Sequence, residues 1–271
     1  VTVNPLPTVD LGNDVAICQG DSTLLDAGTG HTNYLWSTGE TTQTIYADTA
    51  GTYSVTVGNG TLDINSSSLS FEASNNNEYV DCGEILISGN ELSFMSWIKL
   101  DDIPSQIGNV FRQHWSDGYW LRFESSNTKI NFNVNTSTQI PGSSTYASQI
   151  QSQTSLNINE WYHVAGVYDG TSLKIYINGI LDIQGSYSGS LTTYSGIGEN
   201  FYLGSADPYG FYGSTSMSEF FDGSMDNTSL WLKALTQSEI QQYKSTPPTG
   251  NESGLVGYWN FNEGSGNTVT D

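Results

Sequence analysis

Residues 158–182 read Ile-Asn-Glu-Trp-Tyr-His-Val-Ala-Gly-Val-Tyr-Asp-Gly-Thr-Ser-Leu-Lys-Ile-Tyr-Ile-Asn-Gly-Ile-Leu-Asp, and no other segment constrains the fold as strongly. Two alternating runs flank Asp169-Gly170, and a second turn pair, Asn178-Gly179, follows. Asp-Gly and Asn-Gly tolerate the positive φ angles that two-residue hairpin turns need, so the segment predicts antiparallel strands. Tyr162, Val164, Gly166 and Tyr168 share one face of the first strand, and His163, Ala165 and Val167 share the other. On the second strand Leu173, Ile175 and Ile177 oppose Lys174 and Tyr176. Gly, Ser, Thr and Asn are abundant elsewhere, turn signals recur, and helical periodicity is nearly absent, which predicts an all-β chain. The exception is Leu235–Tyr243. Thr236 as N-cap and Glu239 three residues later have capping-box spacing, and predict one short helix near 235–244.

At 271 residues there is room for a large β domain and a small one. Residues 1–60 are read as the small domain and 61–271 as the large one. In the first, Cys18–Leu24, Tyr34–Gly39, Thr44–Tyr46 and Gly51–Val57 give about four short strands. This stretch resembles bacterial immunoglobulin-like (PKD-like) repeats, and the resemblance implies a small sandwich with Trp36 in its core and Tyr53 near its last strands. The expected role is a spacer. In the second domain, Glu160-Trp161-Tyr162-His163-Val164-Ala165 with Lys174-Ile175-Tyr176-Ile177-Asn178-Gly179 resembles the central hairpin of laminin-G-like, concanavalin A-like jelly rolls. Leu69–Phe71 with Asn75–Val80, Leu92–Ile98, Asn200–Gly204 and Phe221–Trp231 resemble other strands of that family in the right order. The resemblance implies an antiparallel jelly-roll sandwich and a lectin, adhesin or accessory binding module. Leu121, Phe123, Ile130, Phe132 and Val134 are expected inward, with Trp120, Arg122, Asn131 and Asn133 outward. Trp97 and Trp161 are also expected inward or between the sheets. Residues 255–271 resemble a segment that opens such a domain, and either fold back as an edge strand or begin a further repeat; an exposed strand carrying Trp259 and Phe261 favours the fold-back.

Formal net charge is −21, from 28 acidic and 7 basic residues. Such a surface repels phosphate backbones and anionic headgroups, so no nucleic-acid partner is expected. No apolar run reaches the roughly 18–20 residues of a membrane span, and no membrane insertion is expected. The start lacks an initiator Met and a signal peptide, which reads as a piece of a longer secreted or cell-surface chain with further domains. Cys18 and Cys82 fall in different predicted domains and are expected as two buried thiols rather than a bridge.

Glycan sites combine an aromatic platform with amides and carboxylates that bond sugar hydroxyls. Two loops have that composition. One holds His114, Trp115, Asp117 and Tyr119; the other holds Asp207, Tyr209, Phe211 and Tyr212. A polysaccharide or cell-surface glycan is the expected partner. The family resemblance also implies a calcium cofactor, with Asp226 as a ligand and Glu72, Asn75 and Asn77 as its partners in the opening turn; calcium takes six to eight oxygens of these kinds. Catalysis is not expected. Jelly-roll hydrolases need two carboxylates on one strand face, about 5–5.5 Å apart for retention. The closest pair, Glu78 and Asp81, is offset by three and falls on opposite faces. His31, His114 and His163 are scattered, and His163 is expected to be a hydrogen-bonded structural histidine. The expected function is an extracellular calcium-binding carbohydrate-binding or adhesion module. The alternatives are a calcium-stiffened stalk without ligand, or an accessory domain of a secreted polysaccharide hydrolase.

Overall fold

The computed structural model describes residues 9, 11–12, 15–18, 20–29, 33–38, 40, 42–58, 68–72, 78–114, 118–136, 149–193, 200–206, 219–263 and 268–269. The chain divides into two units, Val1–Asn65 and Ser66–Asp271.

In the first unit, β1 (Thr23–Asp26) pairs with β3 (Thr44–Ala47), and β2 (Asn33–Trp36) pairs with β4 (Val55–Gly58), all antiparallel. Ala27, Trp36 and Ile45 form its core, with Tyr34, Tyr53, Val55 and Val57 packed around them. The Trp36 indole nitrogen donates to the Thr42 carbonyl at 2.8 Å, and the Tyr53 hydroxyl to the Thr49 carbonyl at 2.8 Å. Polar tips on buried aromatics are thus satisfied by the backbone close by. Cys18 is exposed, not buried as expected, in an irregular segment, and Cys82 of the second unit is only half-buried against that unit's core.

The second unit is built from β5 (Leu69–Phe71), β6 (Val80–Glu84), β7 (Leu92–Leu100), β8 (Gly108–Gln113), β9 (Tyr119–Phe123), β10 (Ile130–Asn133), β11 (Gln149–Gln151), β12 (Trp161–Tyr168), β13 (Ser172–Ile177), β14 (Ile180–Ser186), β15 (Asn200–Leu203), β16 (Gly223–Trp231), α1 (Gln237–Ser245) and β17 (Leu255–Trp259). One sheet has the order β11-β10-β9-β8-β15-β6, the other β14-β13-β12-β7-β16-β17, with β5 also on β16. The described pairings are antiparallel. Leu92, Phe94, Ile98, Val164, Tyr168, Leu173 and Ile175 of one sheet meet Phe111, Leu121, Phe123, Ile130, Phe132, Phe201 and Leu203 of the other in a single core. Such a sandwich with one helix is the all-β architecture expected.

The hairpin forms as the alternation predicts. Tyr168 faces Leu173 across the Asp169-Gly170 turn, and Val164 faces Ile177. Asn178 and Gly179 take φ of 54° and 80°, the left-handed pair that a tight turn requires. The Asp169 carboxylate accepts from the Thr171 and Ser172 amides, both their hydroxyls and the Lys174 ammonium. Burial pushes that carboxyl up, but these bonds outweigh it and hold it well below the usual carboxylate range. Gly166 is needed for a different reason: a Cβ there would stand 2.5 Å from the Phe132 ring of the facing sheet.

The outer face of the seven-stranded sheet is covered rather than solvated. Thr236 caps α1 through the capping box with Glu239, and Leu235 and Ile240 pack on Met95, Ala165, Val167, Tyr176 and Trp231. Trp97 is therefore buried beneath α1, not between the sheets, and its indole nitrogen donates to the Lys244 carbonyl. Trp161 is only half-buried, with the Lys99 ammonium 6.0 Å from its ring centre. His163 lies beside Trp97 in the same row, ring centres 5.5 Å apart, and is 1 % exposed. Its two ring nitrogens have no hydrogen-bond partner, contrary to expectation; the Trp97 ring packs edge-on against the imidazole. Burial, and then the charge of Lys244, push the imidazole down to about 3.

β16 is lined on its far edge by two strands end to end. β5 pairs along Gly223–Met225 and β17 along Thr228–Trp231. The tail thus folds back onto its own sheet. Asp226 and Asn227 occupy the junction, where the pairing of β16 with β7 shifts register and Asn227 adopts φ of 47°.

Candidate functional site

β8, β9 and β10 are neighbours, and their registers align outward side chains into rows. One row runs Gln151, Asn131, Arg122, Asn109; the next runs Gln149, Asn133, Trp120, Arg112, Tyr202, Asp81. The direction of these side chains follows from strand alternation, since Leu121, Phe123, Ile130 and Phe132 take the core face. Their environment does not follow from it. Trp120 is fully buried, Arg112 is 2 % and Arg122 7 % exposed, and Asn109, Asn131 and Asn133 are buried as well. A strand face that reads as solvated is instead a sequestered polar floor.

Arg112 and Arg122 are the only arginines of a chain carrying −21 formal charge. Both guanidiniums lie over the Trp120 ring, 5.0 Å and 4.7 Å from its centre. A delocalised cation over an indole face is favoured by the ring quadrupole, more so away from water. Each also has a carboxylate. Arg112 Nη1 donates to Glu219 Oε2 at 3.0 Å, and Arg122 Nε and Nη2 donate to Glu124 Oε1 at 3.0 and 2.8 Å. Asn109 Nδ2 reaches the same Glu219 oxygen at 2.9 Å, and Asn133 Nδ2 donates to the Gly118 carbonyl at 2.6 Å. Two buried amide atoms, Asn109 Oδ1 and Asn131 Nδ2, have no hydrogen-bond partner. Leaving such atoms unmade costs about 1–3 kcal/mol each, so the two mark the floor as an exception to ordinary core packing.

His114 and Glu219 stand at the two ends of β8, beside the floor. The 114–118 segment joins β8 to β9 at one end of β8, and the chain that leaves β15 returns at Glu219 to its other end, where the Asn109 amide donates to the Glu219 carbonyl. Arg112 connects both ends. Its Nε donates to the His114 carbonyl at 3.3 Å while Nη1 holds Glu219. His114 and Glu219 each take a left-handed φ, 60° and 55°, at these loop bases. Trp115 and Asp117 in the first loop, and Asp207, Tyr209, Phe211 and Tyr212 in the second, lie outside the described residues. Tyr119 is not available to a ligand. It points into the core and its hydroxyl donates to the Thr192 carbonyl at 2.5 Å.

Of the expected calcium ligands, Glu72 and Asp226 are not brought together. Phe71 pairs with Gly223 and Leu69 with Met225, so Glu72 and Asp226 fall at opposite ends of β5. Four residues of strand separate them, roughly 13 Å. Asp226 is fully buried and its Oδ1 accepts from the Asn227 amide at 2.8 Å. Asn75 and Asn77 lie outside the described residues. Among the described residues, no group of three or more His, Cys, Asp or Glu could hold a metal ion. Asp81 is bound to Gly83 and Asn200, and the Glu78 carboxylate accepts from the Glu72 amide. His31 lies outside the described residues. Sequence reasoning missed Arg112, Asn109 and Glu219 as site residues. The available signal was that both arginines of so acidic a chain fall on adjacent strands around one tryptophan.

No helix among the described residues is long and apolar enough to cross a membrane. A comparison with curated protein sequences returns no match. Among solved structures, a "putative carbohydrate binding protein" from Bacteroides ovatus superposes with a TM-score of 0.57 at 16% identity, covering 93% of this chain. The chain spans 65% of that protein's length. A heptameric SAP-like pentraxin from Limulus polyphemus superposes at 0.50 with 16% identity, covering 72% of this chain and 88% of its own. At such identities the likeness concerns the fold alone. A family model agrees over the span that carries most of both sheets, the polar floor and α1: residues 74–241 match the concanavalin A-like lectin/glucanases superfamily, and the chain belongs to that family.

Proposed function

We propose that the second unit is a non-catalytic carbohydrate-binding module, with its ligand held over the β8–β9–β10 face. The observation that carries this reading is the buried floor itself. It offers two unpartnered amide atoms, and Arg112 ties together the bases of two aromatic-rich loops. Trp115, Tyr209, Phe211 and Tyr212 supply stacking surfaces, while Asp117 and Asp207 accept from sugar hydroxyls. Against catalysis stands the state of the carboxylates. Glu219 and Glu124 are both committed to guanidiniums, whereas a glycosidase needs one protonated and one free. Calcium enters this reading through the opening turn, Glu72, Asn75 and Asn77, without Asp226. The first unit is an immunoglobulin-like spacer, a reading supported by the buried Trp36 and by the Tyr53 hydroxyl bonding back four residues. The setting is extracellular, within a longer chain.

Affinity electrophoresis of the full chain through gels of cellulose derivatives, xylan, mannan, arabinan and pectin, with and without chelator, tests this. Retardation by at least one polysaccharide, weakened by chelator, is the expected result. Free migration in every gel, with chelator lowering only the melting temperature, identifies a stalk element instead.

A further inference from the structure

A cavity of about 480 Å3 lies beside β17, between that strand and the segment joining it to α1. Its volume falls in the range of small-molecule sites. Thr249, Gly250, Leu255, Val256, Tyr258 and Asn260 line it, and no charged side chain does so among the described residues.

The walls are fixed by bonds that leave the cavity itself open. The Glu252 carboxylate accepts from the Thr249 amide at 2.8 Å, the Thr249 hydroxyl at 2.9 Å and the Gly250 amide at 3.0 Å, which freezes the 249–252 turn. On the opposite wall the Tyr258 hydroxyl donates to Asn227 Oδ1 at 2.5 Å, anchoring the ring to the junction in β16. Burial, and then the charge of Asp226, push that hydroxyl up to about 12, so it remains a neutral donor. β17 ends the strand order of its sheet, and an edge strand presents a row of main-chain N–H and C=O groups to whatever lies beside it. The cavity thus offers an aromatic ring, two aliphatic side chains, an amide and backbone polar groups, on rigid supports and with no cation.

We propose that this cavity is a second ligand site, on the sheet opposite the polar floor, that takes an uncharged mono- or disaccharide. Tyr258, Leu255 and Val256 pack on the C–H faces of the sugar, while Asn260 and the main chain meet its hydroxyls. An acidic sugar is disfavoured, because the lining holds no cation among the described residues and the chain carries −21. Two sites on opposite sheets allow one module to hold two polysaccharide strands, or one strand twice, with a gain in avidity. The inference stands apart from the reading of the β8–β9–β10 face.

The test is a titration of the isotopically labelled full chain with cellobiose, maltose and lactose at about 10 mM, some ten times a millimolar Kd, followed by backbone amide shifts. At least one disaccharide is expected to shift the amides of residues 249–260. Val256→Trp, which fills the cavity, is expected to weaken the effect at least tenfold, and Asn260→Ala, which gives up only the bond from the Asn262 amide to the Asn260 side chain, to weaken it with cooperative unfolding preserved. Arg112→Lys leaves it unchanged. No shift at 249–260 with any of the three sugars, or shifts that survive both cavity variants, overturns the proposal.

Discussion

Trp120→Ala is expected to lower the stability of the second unit by about 3–5 kcal/mol, the range for emptying a fully buried large aromatic site. For a unit of this size that corresponds to a fall in Tm of roughly 10–15 °C. Three losses add up. The ring leaves a cavity on the β9 strand, and the guanidiniums of Arg112 and Arg122 lose the face they lie over. Their carboxylate partners Glu219 and Glu124 then sit in a wetter, looser floor. Trp161→Ala is the internal control. That ring is half-buried with a single ammonium 6.0 Å away, and its loss is expected to cost about 1 kcal/mol. Urea unfolding monitored on both variants decides. Equal effects at the two positions would mean that Trp120 is not sequestered as described.

The second large effect is acid sensitivity at His163. Its folded-state value is depressed to about 3, against about 6.5 in an unfolded chain. Between those values the unfolded chain binds the proton and the folded one does not, so stability is complete above pH 6.5 and falls as the pH drops. The slope approaches about 1.4 kcal/mol per pH unit once the unfolded chain is mostly protonated, or about 2 kcal/mol between pH 6.5 and 4.5. Lys244 on α1 disfavours the imidazolium, and Lys99, Lys174 and Asp226 lie on the same face of the neighbouring strands. Asp169, Glu239 and Glu252, whose carboxyls are held low, lose their contributions only below about pH 4.5, so the window belongs to His163. His163→Leu is expected to be close to neutral at pH 7, because it removes two orphaned ring nitrogens, and to flatten the profile between pH 6.5 and 4.5. Calorimetric melting of both proteins over that range checks it. A flat wild-type profile contradicts the account.

Much of the architecture was legible because the residues that encode it act locally. Asp169-Gly170 and Asn178-Gly179 set their turns through φ alone, and Thr236 with Glu239 caps α1 within one helical turn. Alternation likewise gave the inward faces of β9 and β10. What alternation cannot give is what lies on the other face. Trp97 and His163 were legible as strand residues, but their burial depends on α1, some 140 residues and 75 residues further along the chain respectively. The same holds for Trp120 and Arg122, whose outward direction was right and whose solvation was not. The Glu72–Asp226 pairing failed for a register reason. β5 is short and antiparallel to β16, so a residue after its end cannot meet one opposite its start.

The central claim is that Arg112 couples the two loop bases over a glycan-binding floor. Arg112→Lys tests it, because lysine keeps the positive charge but cannot reach His114 and Glu219 together through a planar fork. The measurement is the dissociation constant of wild type and Arg112→Lys for the polysaccharide most strongly retained in affinity gels, taken alongside Tm. The account predicts affinity at least tenfold weaker in the variant, with cooperative unfolding preserved. Unchanged affinity in a folded Arg112→Lys protein would contradict it.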